Sequence, residues 1–148
     1  MKQALPKIFL LLGALLLAGC QSFKPVDMDY AVAPGVGPEK PMSYGVYTPP
    51  GWQPGERLPM ILFLHGGGDN HTAFERYGAH RFFDEQINAG NMPRVILVTP
   101  NGGLSFWEDW ADGSRLVRST VLDSVIPAVQ AAVESANSGR PVGEFPVL

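Results

Sequence analysis

Three features of the sequence predict an α/β fold with a mainly parallel sheet. Two short apolar runs, Pro59 to Leu64 and Arg94 to Thr99, each close on glycine, at His65-Gly66-Gly67-Gly68 and at Pro100-Asn101-Gly102-Gly103. The runs start about 35 residues apart, enough for a crossover helix between parallel strands. Valine recurs at positions 117, 121, 125, 129 and 133, which is the spacing of one helix face. Strands alternating with helices give a sheet covered by helices, and ligands bind where its strands end in loops.

The elements follow in order. Lys2 and Lys7 precede an apolar run from Ile8 to Leu17 that ends in Leu17-Ala18-Gly19-Cys20. The run is about ten residues long, too short to cross a bilayer but suited to a secretion signal. Cysteine directly after small residues resembles a bacterial lipobox, which implies cleavage after residue 19 and acyl chains on Cys20. Gln21, rather than Asp, follows the cysteine; in a Gram-negative cell that favours an outer-membrane anchor. Residues 20–42 hold Pro25, Pro34, Gly35, Gly37 and Pro38 among few large apolar residues, and read as a flexible tether. Residues 43–148 are the expected folded part.

Ser43 to Thr48 is rich in strand formers and stops at Pro49-Pro50-Gly51. Pro59 to Leu64 fits a strand buried on both faces. Thr72 and Glu75 have capping-box spacing. Phe82, Phe83 and Ile87 then lie on one helix face, with a stop at Gly90. Pro127 interrupts the valine helix, so a kink or restart is expected near Ser124. Phe145 to Leu148 reads as the opening of a third strand of this type.

Composition narrows the function. Apolar residues make up 45% and charged residues 17%, which excludes extended disorder for most of the chain. Fourteen acidic residues outnumber eleven basic ones, leaving no basic stripe for nucleic acid. A single cysteine excludes an internal disulfide and a Cys-rich zinc site. His65, Asp69 and His71 lack the spacing of common zinc sites. No metal or cofactor is expected.

The chemistry concentrates at His65 to Gly68. Attack on an ester carbonyl puts negative charge on oxygen. Backbone N–H groups stabilise that charge only where no side chain blocks approach and the chain can turn sharply, and glycine allows both. The donors are therefore expected in Gly66, Gly67 and Gly68, with His65 bracing the loop by hydrogen bonding. Trp107 and Trp110, beside the second glycine loop with Phe106, are candidates for stacking on a sugar or an aromatic acyl group. The alternative for them is packing. Asp109, Asp112 and Glu108 read as solvated or loop-capping.

Three stretches occur in sequence order: Tyr47-Thr48-Pro49-Pro50-Gly51-Trp52, then Leu62-Phe63-Leu64-His65-Gly66-Gly67-Gly68, then Val95-Ile96-Leu97-Val98-Thr99-Pro100-Asn101-Gly102. Asp109-Trp110 and a helix with Val125-Ile126-Pro127 come next. From about Tyr44 to Val133 the chain resembles the putative-esterase family of α/β-hydrolases, which includes esterase D and feruloyl-esterase-like enzymes. The resemblance implies a serine hydrolase that cleaves small-molecule or carbohydrate-linked esters through an acyl-enzyme, with the oxyanion hole at His65 to Gly68. Its nucleophile sits in Gly-x-Ser-x-Gly after the third parallel strand. Ser105, Ser114 and Ser138 lack that frame, and His65, His71 and His80 precede the expected position of the serine. The expectation is therefore the N-terminal portion of such a hydrolase, truncated before its nucleophile elbow, with no triad residue and no activity by itself. A lipid-anchored binding protein for carbohydrate or aromatic esters is the alternative.

Overall fold

The computed structural model describes residues 28–53 and 55–135. The signal run, Cys20 and the strand expected from Phe145 lie outside them. The run around Val95 becomes β4 (Ile96–Pro100), buried at every residue. It is buried because strands flank it on both sides. On one side β2 (Met42–Tyr47) pairs antiparallel, with Tyr44 opposite Pro100 and Tyr47 opposite Leu97. On the other, β3 (Met60–Leu62) pairs parallel, with Met60 opposite Ile96. A further strand, β1 (Asp29–Ala33), runs antiparallel to β2, and the order is β1-β2-β4-β3. Among the described residues the sheet is mixed, and β3 with β4 is its parallel pair.

Side chains alternate between the two faces, as the strand period of two requires. Tyr44, Val46, Ile96 and Val98 share a core cluster with Val117, Val121, Val125, Val129 and Val133. Tyr47 and Leu97 meet Met28 and Phe74 on the other face, with Phe83 and Ile87 packed against them. The first cover is the valine helix. The second is the crossover, made of α1 (Ala73–Arg76) and α2 (Ala79–Asn88).

The valine helix has three parts: α3 (Val117–Thr120), a π turn (Val121–Val125) and α4 (Ile126–Ser135). In an α-helix, residues four apart drift by roughly 40° per step, so five such valines would spread around nearly half the circumference. A π turn takes more residues per turn and reverses part of that drift. All five valines are consequently buried. Pro127 stands directly after the π turn inside this continuous helix; it has no N–H to donate to the carbonyl four residues back, and that lost bond falls where the helix is already widened.

Four expectations change. The tether does not extend to residue 42: residues 29–33 are β1, and the next ones are bound to the fold. Val36 N donates to Thr120 Oγ1 at 3.1 Å, Ser124 Oγ donates to Pro34 O at 2.7 Å, and the Glu39 carboxylate accepts from Arg115 Nε at 2.9 Å and Leu116 N at 3.0 Å. Burial pushes the Glu39 carboxyl up, but those donors outweigh it and hold the group below its usual range. Second, β3 is not buried on both faces. Among the described residues it has a strand on one side only, and Ile61 and Leu64 are exposed. Third, α1 starts after Thr72 without a capping box: Thr72 Oγ1 donates to Asn70 Oδ1 at 2.7 Å, and Glu75 accepts from Tyr30 Oη. Fourth, Phe82 is 57% exposed, and α2 instead buries His80 and Asp84.

Asp84 Oδ1 accepts from Tyr47 Oη at 2.7 Å in the interior. Burial raises the Asp84 carboxyl above its usual range, against the opposing pull of the Tyr47 hydrogen bond and His80. The folded state therefore holds this proton more tightly than the unfolded state. The contribution is complete below the ordinary carboxylate range and is lost as pH rises through the raised value. Asparagine can accept the same hydrogen bond without the charge. The stability of Asp84→Asn relative to the parent should be higher at a pH well above the ordinary carboxylate range than at one below it. Urea midpoints at the two pH values measure this; a constant difference counts against a buried, raised Asp84.

Candidate functional site

The parallel pair brings two loops to one rim. β3 hands the chain on through Phe63, whose N–H donates to Val98 O at 2.9 Å, and His65 to Gly68 follow. β4 ends at Pro100, and Asn101 N donates to Ser43 O at 2.9 Å before the second glycine loop. Both loops thus leave the C-terminal ends of adjacent parallel strands, where α/β sheets place their sites.

The glycine loop is open. Gly66, Gly67 and Gly68 are exposed. Asp69 N donates to Gly66 O at 3.2 Å, closing a turn with Gly68 at φ 79° in its third position. That angle favours glycine. Gly66 and Gly67 serve access instead: a Cβ on Gly66 would meet nothing within 4 Å, and one on Gly67 only Leu104 Cδ2 at 3.8 Å. The amides of Gly66, Gly67 and Gly68 donate to no acceptor among the described residues.

His65, read as a brace, is buried, with Nδ1 2.9 Å from Gly66 O. A carbonyl can only accept, so Nδ1 carries the proton. The ring packs edge-on against Trp107, centroids 4.8 Å apart. Trp107 is partly buried and packs against the loop. Its indole fills the space beside Gly102, where a Cβ would stand 2.6 Å from the ring, and its Nε1 donates to His65 O at 3.2 Å. Trp110 is half exposed with the Arg115 guanidinium 5.7 Å over its ring. The packing alternative fits Trp107. The exposed apolar side chain beside the glycines is Leu104, whose Cδ2 lies 3.8 Å from where a Cβ on Gly67 would stand and which no motif marked; Phe106, named with the tryptophans, is exposed.

The residues considered for a metal do not converge, and no cluster of three or more His, Cys, Asp or Glu suited to an ion occurs among the described residues. Asp69 pairs with Arg76 and accepts from Tyr77 Oη at 2.6 Å, and the Tyr77 hydrogen bond is the main reason its carboxyl stays low. The His71 carbonyl accepts from Thr99 Oγ1 at 2.7 Å, and its ring stands edge-on to Tyr30. Burial, with His65 nearby, lowers the His71 pKa. Asp109 accepts from Ser119 N at 3.0 Å and Ser119 Oγ at 2.6 Å, satisfying a free amide at the start of α3, and Asp112 does the same for Ser114 in its loop. Ser105 is buried and its Oγ accepts from Trp107 N at 3.1 Å. A separate cleft lined by Arg57, Met60, Ile96, Pro127 and Glu134 opens at the other ends of β3 and β4, away from the glycine loop.

The fold is shared with solved enzymes. A ferulic acid esterase aligns with TM-score 0.65 and 16% identity over 73% of this chain and 45% of its own. A mutant of the feruloyl esterase module from Clostridium thermocellum, complexed with sinapinate, aligns with TM-score 0.56 and 21% identity over 73% of this chain and 37% of its own. A CE1 ferulic acid esterase from Anaeromyces mucronatus, in complex with ferulic acid, aligns with TM-score 0.55 and 12% identity over 71% of this chain and 42% of its own. The chain thus spans less than half the length of these structures, and the likeness is one of fold, α/β-hydrolase. The Esterase family model, described as putative esterase, matches residues 36–124, more than half of the chain. With the glycine loop and the strand pair inside that match, the chain belongs to the putative-esterase family of ester hydrolases.

Proposed function

We propose that His65 to Gly68 form the anion-binding part of a carboxylic-ester hydrolase site that works through an acyl-enzyme. One observation carries this reading: three consecutive exposed glycine amides, without acceptors among the described residues, stand at the rim where the parallel strands end. Such donors bind the oxygen that turns anionic in the transition state, and removing one typically costs about 3 kcal/mol of barrier. His65 supports the loop and transfers no proton. The 148 residues contain no Gly-x-Ser-x-Gly, so by themselves they bind and do not turn over. The substrate class is a small-molecule or carbohydrate-linked ester with an aromatic acyl group. Exposed Leu104 beside Gly67, and enzymes of the same fold solved with sinapinate and ferulic acid, support that choice. The Leu-Ala-Gly-Cys sequence supports export and a lipid anchor on Cys20 in the bacterial envelope; labelling with a radioactive fatty acid should be lost in Cys20→Ala.

The test uses phenylphosphonate, whose charged tetrahedral oxygens stand in for the oxyanion of the intermediate. In the ¹⁵N-labelled full chain it should shift the amides of Gly66 to Gly68, with Kd of about 1 mM. Gly67→Ala places a methyl in ordinary contact with Leu104, so the fold tolerates it while the approach narrows and binding weakens. Shifts scattered elsewhere and absent from the glycines, or serine-dependent hydrolysis of p-nitrophenyl acetate by the chain itself, overturn the reading.

A further inference from the structure

The loop after β4 contains backbone strain. Phe106 and Trp107 stand consecutively at φ 53° and 61°, a left-handed conformation that crowds any residue bearing a Cβ. Such strain persists where surrounding contacts over-determine it. Here Trp107 N donates to Ser105 Oγ at 3.1 Å and Glu108 N donates to Ser105 O at 3.3 Å. The indole occupies the space that a Cβ on Gly102 would claim. The kink brings Trp107 onto His65 across 42 residues, with Nε1–H donating to His65 O at 3.2 Å and the two rings edge to face.

A peptide group is planar and trans, so its C=O and N–H point in opposite directions in one plane. His65 O and Gly66 N–H belong to the same peptide. Holding the carbonyl therefore aims the amide. The following peptide is held in the same way: Gly66 O faces His65 Nδ1 at 2.9 Å and receives Asp69 N at 3.2 Å, which aims Gly67 N–H.

We infer that Trp107 is a positioning residue of the glycine loop, whose indole N–H sets the direction of the Gly66 amide toward a bound anion. The inference rests on the reading of Gly66 to Gly68 as the oxyanion site. In this role the indole contacts the loop and no substrate atom.

The experiment uses the full chain labelled with ¹⁵N and two replacements at position 107. Trp107→Phe keeps a ring and loses the donor. Site-specific incorporation of β-(3-benzothienyl)alanine keeps the indole shape and replaces N–H with sulfur, and it decides the matter if the phenylalanine variant does not fold. Without ligand, the residual dipolar coupling of the Gly66 N–H should change while couplings in β2 and β4 do not. With phenylphosphonate, Kd should rise about fivefold, the scale of one hydrogen bond, in variants that remain folded at the temperature of the titration. An unchanged Gly66 coupling in the benzothienyl protein overturns the inference, as does a changed coupling with unchanged affinity. If the parent chain does not bind phenylphosphonate at the glycines, the oxyanion reading fails and takes the anion-directed role of Trp107 with it; the Gly66 coupling separates that failure from a failure of the geometry.

Discussion

Phe74→Ala should destabilise the domain by about 3 to 5 kcal/mol, the usual cost of emptying a buried phenylalanine site. Phe74 is 2% exposed, and its ring lies 5.3 Å from Phe63, 5.2 Å from Phe83 and 6.2 Å from Tyr47, centroid to centroid. That face of the sheet has few other large buried side chains: its cluster is Met28, Tyr47, Phe74 and Leu97. A void there cannot be filled from neighbours without moving α2. A domain of this size commonly holds only about 5 to 15 kcal/mol in total, so the loss is a large part of what there is. Urea unfolding followed by tryptophan fluorescence measures it, with Phe74→Leu as the milder comparison. A loss within about 0.5 kcal/mol, the range of a surface change, means that the crossover is not packed against the sheet in this way.

Gly35→Ala should cost about 3 kcal/mol, the upper end of ordinary overpacking. The backbone at Gly35 is not left-handed; the difficulty is space. A Cβ there would lie 1.9 Å from Glu39 O and 2.6 Å from Lys40 O. Both obstacles are main chain and cannot swing aside. The turn closed by Glu39 N to Val36 O at 3.1 Å has to open, and Glu39 is drawn away from Arg115 and Leu116. Because the two changes break one unit, Gly35→Ala combined with Glu39→Ala should cost less than the sum of the single variants. Gly66→Ala is the contrast. It meets open space in an unstrained turn position, and its effect on stability should stay within about 0.5 kcal/mol. Additive losses in the double variant indicate that the turn and the Glu39 ion pair act separately.

Much of the fold was legible because its signals are local. The runs around Ile61 and Leu97, the closing glycines and the valine spacing each state an element within a few residues. What was hidden depends on distant partners. β1 has alanine at its two core positions, Ala31 and Ala33. Alanine carries little hydrophobic signal, and the prolines and glycines after it look like a linker. Glu39 is tied into the fold through Arg115 and Leu116, 76 and 77 residues further on, and sequence spacing cannot announce such a contact. The edge position of β3 follows from strand order rather than from composition. At the site, glycine content reveals access, whereas the donor that aims an amide is a tertiary fact: nothing near Trp107 in sequence points to His65. The same holds for Leu104, an ordinary apolar residue until the fold sets it beside Gly67.

The widened turn in the valine helix bears on how repeats are read. A spacing of four matches neither the α-helical period nor the seven-residue pattern of supercoiled helices, and over five members its phase error would expose one end of the row. One slack turn restores the phase. In this helix the fourfold valine row and the proline just past its middle accompany a locally loosened pitch, which keeps the whole row in the core.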